Sequence, residues 1–266
     1  MDAKQHFDAG NLNDAVAAAT AAVRAKPSDH AARLMLCDLL CFAGELARAD
    51  KQLDTLAQLD PEATMSVALF RQLIRAETCR QEFFTSGRPP ELVGEVSLDM
   101  QRRLQASIQF REGDQAGAAN TLDAAERERP HVRGKCDGKP FEDLRDLDDL
   151  TAGILEVLSP TGKYFWVGFE RLVYLKFSKP QFVRDLLWRR AEISVENGPE
   201  GVVYLPVLYP GSAQSSDDQI RLGRTADWVG PENGPIRGLG QRMLWIDSEH
   251  RDFLGLAELD FTPRAA

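Results

Sequence analysis

The chain has 266 residues, 43% hydrophobic and 27% charged, with a formal net charge of −9; this is long enough for one large core, and two domains is the natural expectation. The acidic excess is shared, −5 over residues 1–130 and −4 over the rest, which argues against non-specific binding to nucleic acid or to an anionic membrane surface. No apolar run approaches the roughly 18 residues of a membrane span, so neither a nucleic-acid partner nor membrane insertion is expected.

The opening MDAKQHFDAGNL has no basic stretch followed by an apolar one, so no secretory signal is expected. A spaced signature then occurs three times: Gly10, Ala15, Pro27; Gly44, Ala49, Pro61; Gly113, Ala118, Pro130. In each copy the Gly precedes the Ala by 5 residues and the Pro by 17; the second copy follows the first after 34 residues and the third follows after 69. A period near 34 marks stacked helical hairpins of the tetratricopeptide kind, which bind a partner's helix or peptide and usually perform no chemistry.

Within the first hairpins, Ser28 or Asp29 caps a helix through Arg33-Leu34-Met35-Leu36 that Gly44 breaks. A second helix from about 45 to 58 carries Leu46, Ala49, Leu53, Leu56 and Ala57, and Pro61 stops it. Ala49 sits where two helices touch, as do Ala15 and Ala118 in their copies. Thr64 to Phe84 reads as one long helix ended by Ser86-Gly87-Arg88-Pro89-Pro90, and helices of about 97–111 and 115–129 flank Gly113. The unit between Pro61 and the third copy has therefore lost a regular second helix, which displaces that copy by about two periods. Cys37, Cys41, Cys79 and Cys136 show neither disulfide nor metal spacing, and His30 and His131 add none. Reduced cysteines, no metal, no cofactor and a cytoplasmic location are expected.

Stacks of this kind turn the first helix of each hairpin toward a concave groove. The usual groove positions fall on Phe7, Asp38, Phe42, Arg103, Ser107, Phe110 and Arg111, a set suited to an amphipathic helix. Each has a plainer alternative: hairpin core for Phe42 and Phe110, solvated surface for Arg103 and Arg111. The C-terminal half is an alternative occupant of the groove.

After Pro130 the pattern changes, and HVRGKCDGKP marks a boundary between a helical domain of residues 1–130 and a β-rich mixed domain of residues 131–266. The fold class is α+β, with a mainly antiparallel sheet in the second part. The acidic run EDLRDLDDL reads as the solvated start of a short helix through Ile154, Leu155 and Val157; it lacks the Asp-x-Asp-x-Asp-Gly order of a calcium loop. Strands are expected at 164–167, 172–177, 187–195, 201–209, 241–246 and 253–259, with a turn at Asn197-Gly198-Pro199 and a short helix over 217–222. Gly238-Leu239-Gly240 opens no helix, and P-loop, zinc-protease and nucleophile-elbow motifs are missing, so no catalytic residue is assigned. Asp217, Asp218, Arg221, Arg224 and Asp227 form a candidate acid–base or anion site. They carry the alternative reading: an enzyme or small-ligand sensor built on the 209–228 loop, with the helical repeat as docking arm. Trp228 and Trp245 are expected as core or interface aromatics.

The run from Ala31 to Gln72, with LMLCDLLCFAGELARADKQLDTLAQLDPEA and LFRQLIRAE, resembles the ImpE/TagJ family of type VI secretion accessory proteins. The segments GKPFEDLRDLD, GKYFWVGFERL, DLLWRRAEI, VLYPGSAQSSDDQIRLGRTADW and GLGQRML resemble the same family in the same order, so the likeness covers residues 10 to 262. It implies a cytoplasmic, non-enzymatic factor with a helical repeat joined to a mixed α/β part. It also implies engagement of the N-terminal helix of the small sheath subunit, in support of sheath assembly or disassembly.

Overall fold

A computed structural model gives the fold and describes residues 1–60, 64–231 and 234–262. Its N-terminal part consists of α1 (Ala3–Ala9), α2 (Leu12–Ala25), α3 (His30–Phe42), α4 (Leu46–Leu59), α5 (Thr64–Ser86), α6 (Leu98–Arg111) and α7 (Gln115–Glu128). Gly10, Gly44 and Gly113 occupy the turns of the three hairpins with φ of 86°, 75° and 83°, a left-handed conformation that glycine adopts without steric cost. Ala15, Ala49 and Ala118 are each 0% exposed at the contact between paired helices. Asp29, Ser97 and Asp114 cap α3, α6 and α7 through Ala32, Met100 and Gly117 amides. Pro61, the expected stop of α4, lies outside the described residues; α4 ends at Leu59.

The irregular unit has a residue-level cause. One period of 34 beyond Gly44 stands Thr78, and one period beyond Ala49 stands Phe83. No glycine turns the chain, so α5 runs on for 23 residues, and Phe83 occupies the place of the small contact residue. Phe83 packs edge-on against Trp166 at 4.8 Å between ring centroids. The chain then extends into β1 (Glu91–Leu92) instead of a second helix.

The remaining chain forms β2 (Gly134–Cys136), β3 (Lys139–Phe141), β4 (Leu144–Asp146), β5 (Ile154–Leu158), β6 (Tyr164–Gly168), β7 (Leu172–Phe177), β8 (Trp188–Val195) and β9 (Glu200–Pro206). After a short helix α8 (Asp218–Arg221) come β10 (Ala226–Val229), β11 (Arg237–Gly240), β12 (Met243–Ile246), β13 (Glu249–Asp252) and β14 (Glu258–Phe261). The main sheet has the order β1-β6-β5-β9-β8-β7-β14-β2-β3. Every pairing in it is antiparallel except β1 with β6, where Glu91 lies opposite Phe165 and Leu92 opposite Trp166. Thus a strand from the helical half forms one edge of the C-terminal sheet. Two smaller sheets, β13-β12-β4 and the ribbon β10-β11, complete the second part.

Alternation along the central strands divides the core. Ile154, Leu158, Tyr164, Trp166 and Trp188 join Phe70, Ile74 and Phe83 in one cluster with the helices. Leu155, Val157, Val167, Ala191, Ile193 and Leu205 face the other way, onto Leu244, Ile246 and Phe253. Because both faces are covered, all five residues of β5 are buried.

Several expectations are corrected here. Residues 154–158 form a strand and not a helix. The acidic run is no solvated helix start: its Leu144, Asp146, Asp148 and Leu150 are buried in alternation, the period of extended chain. Within the supposed boundary loop, Asp137 and Gly138 have φ of 50° and 82° and turn the β2–β3 hairpin. The strand expected at 253–259 begins only at Glu258; Phe253 and Leu256 are buried in the preceding turn. The strands from 164 to 206, the turn at 197–199 and the short helix near 218 lie close to where their patterns place them.

Candidate functional site

Within the loop singled out at 209–228, residues 218–224 strap the C-terminal half to the first helices, while residues 209–214 line a cleft. The Asp218 carboxylate accepts from the Leu12 amide at 2.7 Å, and the Arg221 guanidinium donates to Asn13 Oδ1 at 2.9 Å. Arg224 donates to the carbonyls of Phe7 and Asp8 at the C-terminal end of α1, and its charge lies over the Phe7 ring at 5.7 Å. Asp217 caps α8 through the Gln219 amide, and the exposed Asp227 accepts from Trp228 N. A methyl group on Gly44 would lie 3.1 Å from Ala213 Cβ. The C-terminal half therefore packs along the turns of the first two hairpins. Trp228 packs on Tyr209 but remains 39% exposed, and Trp245 is 43% exposed; neither is a core residue.

Sequence reading missed the most polar feature of the interior. Glu156 in β5 accepts from Arg80 of α5 at 2.9 and 3.0 Å, from Tyr164 and from Arg242. Arg80 also reaches Glu77 at 3.2 Å and the Leu208 carbonyl at 3.0 Å. Arg242 extends the chain of charges to Asp146 at 2.8 Å, and Tyr209 OH donates to Asp146 at 2.8 Å. All five charged groups are buried. Burial alone would raise the Glu156 carboxyl, but the Arg80 and Arg242 guanidiniums hold it at about 2. Burial pushes Asp146 up to about 6, with Arg242 opposing and Asp148 assisting.

Beside this network lies a cleft of about 620 Å³ between the two halves. Its walls come from the end of α3 (Cys41, Phe42), from α5 (Gln81, Phe84) and α6 (Ser107, Phe110, Arg111), and from segments 208–214, 229 and 237–239. Gly238 lies under the Tyr209 ring, where a Cβ would come within 2.3 Å of it. Arg237 spans two aromatic walls, its guanidinium 5.5 Å from the Phe84 ring and 5.3 Å from the Phe110 ring. Its Nε donates to Asp148 at 2.8 Å, and its terminal nitrogens have no hydrogen-bond acceptor among the described residues. Arg111 lies over Phe83 at 5.8 Å and donates to the Phe83 carbonyl and Ser107.

Of the seven expected groove residues, Phe42, Ser107, Phe110 and Arg111 line this cleft. Phe7 packs on Phe42 at 5.8 Å under Arg224. Arg103 is 1% exposed, tied to Asp99 at 3.2 Å and Glu126 at 3.3 Å. Asp38 is 6% exposed, and its Oδ1 has no hydrogen-bond partner among the described residues.

Burial pushes the Asp38 carboxyl up to about 7, with Arg184 opposing and Asp185 adding to the rise. A carboxyl with a higher pKa folded than unfolded binds its proton more tightly when folded, so stability falls as pH rises from about 4 to about 7. Asp38→Asn cannot ionise. Its stability relative to the parent is expected to climb by roughly 2–4 kcal/mol across that window, measured by urea unfolding at several pH values. A gap independent of pH would contradict the assignment.

A short tetratricopeptide-type stack fused through its irregular unit to a β-rich half, with an apolar cleft between them, defines a binding architecture. The tetratricopeptide repeat model matches residues 6–72, and the ImpE protein model matches residues 138–260. A curated relative, the type VI secretion system accessory component TagJ of Pseudomonas aeruginosa, is 34% identical over 100% of this chain and 93% of its own length. A crystal structure of a protein from Vibrio parahaemolyticus superposes with a TM-score of 0.92 at 25% identity, covering 98% of each chain. The chain belongs to the ImpE/TagJ family of type VI secretion accessory proteins.

Proposed function

We propose that this protein is a non-catalytic, cytoplasmic adaptor of a type VI secretion apparatus that binds the N-terminal helix of the small sheath subunit and so supports assembly or disassembly of the sheath. The observation that carries the reading is end-to-end similarity to a type VI secretion accessory component. The helical repeat supports it, since such stacks hold partner helices. No helix among the described residues is long and apolar enough to cross a membrane.

The test is calorimetric titration of the protein with a synthetic peptide of the cognate small sheath subunit's N-terminal helix. Saturable 1:1 binding at or below micromolar concentration is expected. Absence of heat at several hundred micromolar peptide would remove the proposal. The helix-binding reading is favoured over the enzyme or sensor reading because Asp218, Arg221 and Arg224 are engaged in holding the 209–228 loop to α1 and α2.

A further inference from the structure

We infer that the cleft between the α3–α5–α6 side of the stack and the β10–β11 ribbon is the docking site for that partner helix, and that the helix presents bulky apolar side chains flanked by a carboxylate. The inference rests on the proposed function for the existence of a helical partner; the position and the chemistry of the site come from the cleft.

The cleft volume of about 620 Å³ fits a few large side chains and a small ligand alike; the exposed residues beside it favour a protein segment. Val229, which lines the cleft, is 43% exposed, and Trp228, 39% exposed, packs on the lining residue Tyr209 at 5.7 Å between ring centroids. A ligand confined to the cleft leaves those residues in water, whereas a helix lying across the mouth covers both. Exposed apolar residues that adjoin an apolar cleft are the usual form of a protein interaction site.

The sign of the occupant follows from the cations. Arg237 lies over the Phe84 and Phe110 rings of the walls, Arg111 of the lining lies over the Phe83 ring, and the terminal nitrogens of Arg237 have no acceptor among the described residues. A guanidinium placed on aromatic rings with donors to spare is preorganised for a carboxylate. Glu77, the acid of the lining, donates nothing and is already bonded to Arg80 and Trp188. The rest of the walls is mostly Phe, Leu, Val, Ala and Gly. The complement is therefore an acidic amphipathic helix, and a basic helix is disfavoured.

The test uses the full chain and the same sheath-subunit helix peptide, with sodium decanoate as a small amphipathic carboxylate control. Gln81 and Val229 are both at the cleft and make no side-chain hydrogen bond among the described residues, so their variants alter the mouth and leave the folding network intact. Thermal unfolding of each variant is checked first. Val229→Glu and Gln81→Glu are expected to weaken peptide binding at least tenfold, whereas Gln81→Lys leaves it unchanged or tighter and Lys51→Glu on α4 has no effect. If the wild type binds the peptide and all these variants bind equally well, the docking site is wrong and the proposed function stands. Equal weakening by Gln81→Glu and Gln81→Lys overturns the acidic character of the helix. Failure of the wild type to bind overturns both proposals. Binding of decanoate that Val229→Glu abolishes, with peptide binding unaffected by that change, reassigns the cleft to small ligands.

Discussion

Glu156→Gln is expected to destabilise the protein by about 3–5 kcal/mol near neutral pH, the usual cost of removing one partner from a buried ionic network. Glu156 lies at the centre of β5, where every residue is buried, and it is the shared acceptor of Arg80 and Arg242. The amide retains the shape but supplies no charge, leaving two buried guanidiniums with Glu77 and Asp146 as their remaining anions. Chemical denaturation reads the loss directly. The pH dependence is a sharper signature. The carboxyl is held at about 2 in the fold, against 4.5 for an ordinary glutamate, so its stabilisation is complete above about 4.5 and drains away as pH falls toward 2. The gap between wild type and Glu156→Gln therefore closes across that acid window. A gap that stays constant from pH 7 to pH 3 would show that Glu156 acts through shape alone.

Phe83→Ala carries the other large effect, also about 3–5 kcal/mol, from lost transfer energy and the cavity left behind. Phe83 is 2% exposed and joins the helical stack to the sheet through Trp166 and Tyr164, with ring centroids 4.8 and 6.2 Å away, and packs on Phe84 of its own helix at 4.8 Å. Its ring also supports Arg111 at the cleft. Phe83→Leu is expected to recover more than half of the loss, because most of the buried volume returns. Equilibrium unfolding of the pair decides the matter, and a cost below about 1 kcal/mol for Phe83→Ala would mean that the contact between the halves lies elsewhere.

These two residues also show what sequence could reveal. The hairpins were legible because Gly, a small contact residue and Pro are local requirements of a turn, a close approach and a stop, and Gly10, Ala15, Gly44 and Ala49 meet them in the structure. The aromatic strands were legible for the same local reason. Asp146 and Asp148 give no apolar alternation to mark their segment, because its inward positions are acids satisfied by Arg242 and Arg237. Their partners stand about 90 residues away in sequence, so no local pattern announces them. The cleft was half legible. Phe42, Ser107, Phe110 and Arg111 were placed by the geometry of the repeat, but Arg237, Tyr209 and Val229 come from the other half of the chain. Thr78 and Phe83 were visible as departures from the period; their meaning depends on Trp166, which only the fold brings near.

The parallel pairing of β1 with β6 has a consequence for how the protein is made. Glu91 and Leu92 wait for Phe165 and Trp166, and the first turn of the stack waits for Asp218 and Arg224. At the usual pace of a ribosome, roughly 5–20 residues per second, the helices emerge several seconds to tens of seconds before the segments that cover them. During that interval Phe70, Ile74 and Phe83 lack the sheet residues of their cluster. The apolar face of α5 thus stays uncovered in the nascent chain until the strands that carry Tyr164, Trp166 and Trp188 have been synthesised.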